Sequence, residues 1–145
     1  MRRDPSLIPL SHQHHNGLAL CVLTERALAT DAGAESVRRL AQRIVERYEI
    51  ELINHFELEE QLLFPACPGP LADELLGEHR ELERMVRELA SEPTADRLTE
   101  FSGLLRRHIR REENEFFQQV QEQIPRERLD AIGAEIDRKA VRVCL

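Results

Sequence analysis

The chain has 145 residues, of which 41% are hydrophobic and 32% charged, and it carries a formal net charge of -7 at pH 7. This length and composition favour a single domain, residues 1–145, with a buried core. The negative charge argues against nucleic acid as a partner, and the lack of any run of eighteen apolar residues argues against a membrane-spanning segment.

The N-terminal segment and the cysteines indicate the compartment. Residues 1–9 are basic but contain no apolar stretch and no small-residue cleavage site, so we expect no signal peptide. The three cysteines, Cys21, Cys67 and Cys144, are widely spaced and form no Cys-x-x-Cys motif. They fit a reducing compartment better than a disulfide framework, and they do not point to one thiolate site. We therefore expect a cytoplasmic protein.

The first predicted helix covers about residues 11–30. Pro5 and Pro9 mark an extended entry, Ser11 can cap the helix, and the turn at residues 31–33 ends it. Its first turns carry three histidines, His12, His14 and His15.

The second predicted helix is unusually long and covers about residues 34–63. Its apolar residues recur at i, i+3, i+4 and i+7, and this stripe runs directly into His55 and Glu59. Three prolines, at positions 65, 68 and 70, end the helix.

Three further helices are predicted after this turn, over about residues 71–90, 95–123 and 126–140. His79 lies on the apolar stripe of the third helix, and His108 lies on that of the fourth. The fifth helix is short, and we interpret it as a lid or brace on the others, with a dimer contact as the alternative.

No sustained period-two alternation predicts a strand, so the fold class is all-α. Four long helices with short connections favour an up-down-up-down four-helix bundle over about residues 10–123, with an additional short C-terminal helix. In this topology the histidines of all four long helices fall toward the same end. They are therefore expected to meet.

One sequence pattern occurs twice. His55 is followed four positions later by Glu59, then by a second glutamate and an apolar-aromatic pair, and His108 and Glu112 repeat this order. Residues four apart share a helix face, so each copy directs an imidazole and a carboxylate toward one point. A single copy is more often a solvated ion pair, whereas two matched copies favour a metal site.

The residue types at this site limit the metal. Imidazole with carboxylate suits iron, zinc or manganese, and the lack of clustered thiolates counts against structural zinc and iron-sulfur sites. A carboxylate at a core position is costly unless a positive group pairs with it, and a metal ion supplies that charge.

Together these segments resemble the hemerythrin-like, or HHE cation-binding, family over about residues 10–120. The matching segments are His15, His55-Phe56-x-x-Glu59-Glu60-x-x-Leu63-Phe64-Pro65, Glu78-His79-x-x-Leu82 and His108-x-x-x-Glu112-Glu113. The resemblance implies a four-helix bundle that holds two iron ions bridged by carboxylates and an oxo or hydroxo group, with zinc or manganese less favoured. Carried over by position, the implied metal ligands are His15 or His14, His55, Glu59, His79, His108 and Glu112. Of these, Glu59 and Glu112 are the bridging residues.

Two departures separate the chain from oxygen-carrying hemerythrins. Glu83 stands where the carriers have a second histidine on the third helix, and Glu112 with Glu113 stands near their aspartate. The chain therefore resembles the bacterial branch of the family more than an oxygen carrier. Glu83 is a candidate ligand, although an exposed pairing with Arg80 or Arg87 is more ordinary.

The ligand from the first helix is ambiguous. His15 precedes Leu18 by three residues, as His79 precedes Leu82, and this spacing favours His15. His14 stacks with Leu18 instead and is the alternative. We expect His12 at the surface or beside the ligands, and Glu60 and Glu113 beside the ligands or in solvent.

The resemblance implies a protein that binds or reduces a small ligand, such as oxygen, nitric oxide or peroxide, and that acts as an oxidoreductase if it turns over. An iron-sensing, oxygen-sensing or metal-storage module without turnover is the alternative. A mononuclear hydrolase is disfavoured, because no candidate base or nucleophile accompanies the ligands. The sequence does not specify an electron-donor protein, and it leaves a monomer and a homodimer open.

Overall fold

Helices form almost all of the chain in a computed structural model, which describes residues 2–143. No strand occurs within that range, and none of its helices is long and apolar enough to cross a membrane. Three helices are uninterrupted: α1 (Ile8–Thr30), α3 (Pro70–Ser91) and α5 (Arg126–Lys139). Two further helices, α2 and α4, each contain π-helical turns.

Helix α2 runs without a break through Ala34–Arg47, the π-helical Tyr48–Leu52, Ile53–Leu58 and the π-helical Glu59–Leu63. Its outer bounds agree with the predicted helix over residues 34–63. In the last π turn the Phe64 amide donates to the Glu59 carbonyl oxygen at 2.9 Å. Such turns are rare and frequently lie at functional sites.

Helix α4 repeats this irregularity at the corresponding position. It comprises Ala95–Arg111, the π-helical Glu112–Phe116 and Phe117–Gln123. The two copies of the sequence motif therefore share a backbone feature, since a π turn begins at Glu59 in one copy and at Glu112 in the other.

The start of α1 differs from the prediction. A 3₁₀ turn, Pro5–Leu7, leads directly into α1, and the Asp4 carboxylate caps that turn by accepting a hydrogen bond from the Ser6 amide at 3.0 Å. The expectation that Ser11 caps the helix is wrong. Its hydroxyl instead donates to Glu113 across the bundle at 2.8 Å.

The four long helices form the predicted up-down-up-down bundle. Short loops join them, each packs against the next, and α1 packs along α4 to close the bundle. The neighbours are therefore antiparallel. This arrangement brings the first half of α1, the second half of α2, the first half of α3 and the second half of α4 to the same level.

The core consists of two apolar clusters, one on either side of that level. The first lies toward α5 and includes Leu10, Leu63, Leu75 and Phe116. The second lies toward the opposite end of the bundle and includes Leu20, Phe56, Leu82 and Ile109. Each long helix contributes to both clusters, so the layer between them is enclosed by apolar side chains at both ends.

Helix α5 braces the bundle by packing on the N-terminal 3₁₀ turn. Its apolar face, formed by Leu129, Ile132 and Ile136, is buried in the first cluster. The close approach uses Gly133, where an added Cβ would lie 2.6 Å from the Ser6 Cβ and 2.9 Å from its Cα. The apolar face of α5 is thus covered by its own chain.

This contact predicts opposite effects of alanine at two helical glycines. Gly133→Ala is expected to destabilise the fold by about 1–3 kcal/mol, because the methyl group overlaps the Ser6 backbone. Gly77→Ala in α3 has no neighbour within 4 Å and should stabilise the fold by about 0.5–1 kcal/mol. Urea unfolding of both variants measures the difference. A stabilised Gly133→Ala protein would contradict the close packing of α5.

Candidate metal centre

The layer between the two apolar clusters contains one imidazole from each long helix. His14, His55, His79 and His108 are between 0% and 3% exposed. The ring centroids of His14 and His55 lie 4.5 Å apart, and those of His79 and His108 lie 4.8 Å apart. The expectation that histidines of all four helices meet is therefore confirmed for these four residues.

Two fully buried carboxylates, Glu59 and Glu112, complete the layer. Their oxygens and the imidazole nitrogens form two groups, and within each group the ligand atoms lie within 4.8 Å of one another. One group is His14, His55, Glu59 and Glu112, and the other is Glu59, His79, His108 and Glu112. Both carboxylates belong to both groups, so each group could hold a cation and the two groups share their acidic residues.

Glu112 contacts imidazoles of three helices. Its Oε1 lies 2.7 Å from His14 Nε2, 3.4 Å from His108 Nε2 and 3.6 Å from His55 Nε2. The contact with His108 follows from the four-residue spacing on α4, whereas the other two contacts depend on the packing of α1 and α2 against it.

Glu59 has the equivalent role on α2. Its Oε1 lies 3.1 Å from His79 Nε2 and 3.3 Å from His55 Nε2. The contact with His55 again follows from the four-residue spacing, and the contact with His79 crosses to α3. Each motif copy thus provides one local contact and at least one contact to another helix.

Several buried atoms at this centre have no hydrogen-bond partner. They are His55 Nε2, His108 Nε2, Glu59 Oε2 and Glu112 Oε2. Unpartnered polar atoms in a protein interior are rare and costly. All four are nitrogen or oxygen donors of the kinds that bind transition metals, so cations between them would satisfy all four. The residues present therefore fit a metal centre.

The outward-facing nitrogens of the four imidazoles have partners of their own. Each Nδ1 lies within hydrogen-bond distance of a side-chain oxygen: His14 and Glu113 at 2.6 Å, His55 and Gln13 at 2.9 Å, His79 and Glu60 at 2.8 Å, His108 and Glu78 at 2.7 Å. Carboxylate and amide oxygens only accept, so each Nδ1 carries the hydrogen. This orients each ring with its Nε2 toward the centre, where a metal ion would take the place of any hydrogen on that nitrogen.

These partners form a closed ring around the bundle. Gln13 on α1 bonds the histidine of α2, and Glu60 on α2 bonds the histidine of α3. Glu78 on α3 bonds the histidine of α4, and Glu113 on α4 bonds that of α1. Every partner is adjacent in the chain to a residue of the centre. Glu78 belongs to the segment Glu78-His79-x-x-Leu82 that resembles the family, whereas the sequence signal for Gln13 is its adjacency to His14.

Aromatic rings line the centre. Phe56 stacks on His79 with ring centroids 3.9 Å apart, and Phe117 stacks on His14 at 5.3 Å. Phe64 packs against both His79 and Phe116. The apolar-aromatic pair that ends each motif copy thus packs around the centre, where it excludes water.

The two carboxylates differ in acidity because of their surroundings. Burial and the negative charge of Glu112 raise the pKa of Glu59 well above its usual range. Burial acts to raise the pKa of Glu112 also, but the charge of His108 and the hydrogen bond with His14 outweigh it and lower that pKa well below its usual range. Positive charge close to Glu112 thus favours the ionised form of that carboxyl group.

The pKa values of the imidazoles also differ because of their surroundings. Burial lowers the pKa of His55 to about 4, and the charge of His14 adds to this effect. Burial also acts to lower the pKa of His108, but the charge of Glu112 and the hydrogen bond to Glu78 raise it to about 9. The positive charge that the carboxylates need is supplied either by imidazolium or by a metal ion.

The preference for His15 over His14 requires correction. His15 is exposed and belongs to neither group, whereas His14 is 3% exposed and contacts Glu112. Consecutive helical residues point about 100° apart, so only one of the two can face the centre. The spacing of His15 to Leu18 was a poor guide, because Leu18 itself is only partly buried.

The remaining candidates lie outside the centre. His12 is exposed, as expected. Glu83 belongs to neither group and pairs with Arg80 at 2.5 Å. Cys21 and Cys67 are buried free thiols that belong to neither group, and burial raises the pKa of Cys21 to about 12. Cys144 lies outside the described residues.

The geometry predicts which first-helix histidine affects metal content. His14→Ala should reduce the metal bound per chain by about half, because one of the two groups loses a ligand. His15→Ala should leave it unchanged, since that side chain lies in solvent. Elemental analysis of both purified proteins measures this. Loss of metal in His15→Ala with retention in His14→Ala would contradict the assignment.

A four-helix bundle with a buried layer of four imidazoles and two shared carboxylates defines a class of helix-bundle proteins whose core is suited to metal cations. Within this class, the family model described as Hemerythrin HHE cation binding domain matches residues 7–120 of the chain. The chain belongs to that family. A comparison with curated proteins gives no match.

Proposed function

We propose that the protein is a non-haem di-iron protein that binds or reduces a small ligand, namely oxygen, nitric oxide or peroxide. The observation that carries this proposal is the pair of His₂Glu₂ groups that share both glutamates. Shared carboxylates between two ion positions are the arrangement found in di-iron helix bundles.

The donor types favour iron at these positions. Mixed imidazole and carboxylate ligands suit iron, and the two buried thiols stand apart from both groups. Zinc and manganese accept the same donors and are the less favoured alternatives. In the proposed centre His14 and His55 would hold one ion, His79 and His108 would hold the other, and Glu59 and Glu112 would be ligands of both.

Iron bound there supplies a redox-active pair of ions that can exchange electrons with a small ligand. The chain's own residues set the conditions for that chemistry. Four protein side chains per position are fewer than the six donors of an octahedral ion, so each position can accept a further ligand. The apolar clusters at both ends limit that ligand to a small molecule and exclude bulk water.

The ring of Nδ1 hydrogen bonds holds the imidazoles in place for this purpose. Each ring is fixed at its outer nitrogen by a partner on a neighbouring helix, so each inner nitrogen is oriented before metal binds. Such partners typically contribute about 10- to 100-fold to metal affinity or activity.

The first test is the metal content of protein purified without chelators, together with its visible spectrum before and after reductant and air. Close to two irons per chain, with absorption bands that respond to air, would support the proposal. One zinc and a featureless spectrum would overturn it. A protein that binds iron but never turns over a supplied ligand would point to the alternative role, iron or oxygen sensing or metal storage.

Two variants link this metal to the described centre. His55→Ala and His108→Ala should each lower the metal content, because each removes a ligand from one group. His12→Ala is the matched control, since His12 lies exposed on α1. Equal metal content in all three variants would place the metal elsewhere.

A further inference from the structure

The ring of histidine partners contains one member that differs from the others. Glu113, Glu60 and Glu78 are carboxylates, whereas the partner of His55 is the neutral side-chain amide of Gln13. A carboxylate partner raises the basicity of the ligating imidazole more than a neutral amide does. The His79/His108 position therefore has two carboxylate-supported imidazoles, and the His14/His55 position has one.

The orientation of the Gln13 amide is fixed by its other contacts. Its Nε2 donates to the Val141 carbonyl at 3.1 Å and to Asn54 Oδ1 at 2.9 Å. A carbonyl oxygen can only accept, so the amide nitrogen must face Val141. This leaves Gln13 Oε1 to accept from His55 Nδ1, at 2.9 Å.

The partner that fixes this amide is the segment after α5, residues 140–143. Asn54 holds the start of this segment, because its Oδ1 accepts from the Val141 amide at 2.9 Å and its Nδ2 donates to the carbonyl of Lys139, the last residue of α5, at 3.0 Å. Asn16 adds a hydrogen bond to the Val143 carbonyl at 3.2 Å. A continuous series of hydrogen bonds thus connects the segment to His55.

We propose that Gln13 is a positioning residue that makes the His14/His55 position the weaker of the two metal positions, and that residues 140–143 set its strength by holding the Gln13 amide. This inference rests on the proposed function, in which both positions bind metal. It adds an order of binding: the His79/His108 position fills first and empties last.

The test is an anaerobic titration of the metal-free protein with Fe²⁺, followed by calorimetry, and with Co²⁺, followed by its visible absorption. The wild-type protein should bind two ions in two steps separated by about tenfold or more in affinity. His14→Ala should remove the weaker step and keep the stronger one, which assigns the steps to their positions.

Three variants then separate positioning from general stability. Gln13→Ala should weaken the second step by about a further tenfold and leave the first nearly unchanged. Gln13→Glu gives His55 a carboxylate acceptor like those of the other three histidines, so it should strengthen the second step beyond its wild-type affinity and bring the two steps closer together. A merely structural role for Gln13 would instead make the two variants equivalent. Asn54→Ala, which does not touch His55 Nδ1, should weaken the same step by a smaller factor.

The control is Gln42→Ala, which removes an exposed amide of α2 and should change neither step. Two equal steps in the wild-type protein, or equal weakening of both steps in Gln13→Ala, would overturn the inference while leaving the di-iron proposal intact. Failure of the wild-type protein to bind either ion would overturn the di-iron proposal itself.

Discussion

Glu112→Ala is expected to empty both metal positions, whereas the loss of one histidine empties only one. Glu112 belongs to both ligand groups, and its Oε1 lies within 3.6 Å of three imidazole nitrogens. Its removal deletes an acidic ligand from each position and leaves four buried imidazoles around one remaining carboxylate, Glu59. Elemental analysis of the purified variant should give close to zero metal per chain.

The matched control for this prediction is Glu115→Ala. Glu115 lies in the same π turn but is exposed, and its carboxylate is 3.9 Å from Arg111. It should keep the wild-type metal content. One ion retained in Glu112→Ala would show that the two positions do not share this carboxylate, and the bridging role of Glu112 would have to be abandoned.

The sequence was sufficient to predict the bundle and most of the centre, because both depend on helical periodicity. The i, i+4 relation of His55 to Glu59 and of His108 to Glu112 is local, so it does not depend on how the helices pack against one another. Helix order and short loops then bring the four histidine-bearing segments to one level. These inferences needed no knowledge of how any one helix is rotated about its axis.

The sequence was insufficient to predict the rotation of α1 about its own axis. To choose between His14 and His15, the rotation of α1 about its axis must be known to within about 100°. The hydrophobic pattern of α1 is a weak guide to this rotation, because its buried positions include polar residues such as Gln13 and Asn16. These two amides face inward to bind His55, Glu51 and the segment 140–143. These two buried polar residues thus interrupt the apolar stripe that would have indicated which face of α1 is buried.

The sequence predicted Glu60 and Glu113 beside the ligands or in solvent, but it predicted neither the full ring of histidine partners nor the π turns. Glu78 and Gln13 bond histidines on other helices, 30 and 42 residues away in the chain, so only tertiary structure identifies their partners. The π turns at Glu59 and Glu112 leave no clear trace in the periodicity, because each adds only a single residue to one turn. The repeat was visible in the sequence, whereas the shared backbone irregularity was not.

Removal of metal is expected to lower the melting temperature by more than about 10 °C while leaving the helix content nearly unchanged. An ion whose free concentration is about 1,000 times its Kd adds about 4.1 kcal/mol to the free energy of unfolding, and two bound ions add about twice that. For a domain of this size, each kcal/mol corresponds to roughly 2–4 °C. The helices should persist, because an apolar cluster lies on each side of the metal layer and does not depend on it.

Circular dichroism of the protein with and without a chelator measures both quantities in one experiment. The double variant Glu59→Gln, Glu112→Gln is the control: it removes both bridging carboxylates at nearly constant volume, so its melting temperature should not respond to the chelator. A chelated wild-type protein that loses most of its helix content would show that the two apolar clusters cannot hold the bundle together alone. In that case folding itself would be the response to iron, which would favour the alternative role as a metal-sensing or metal-storage module.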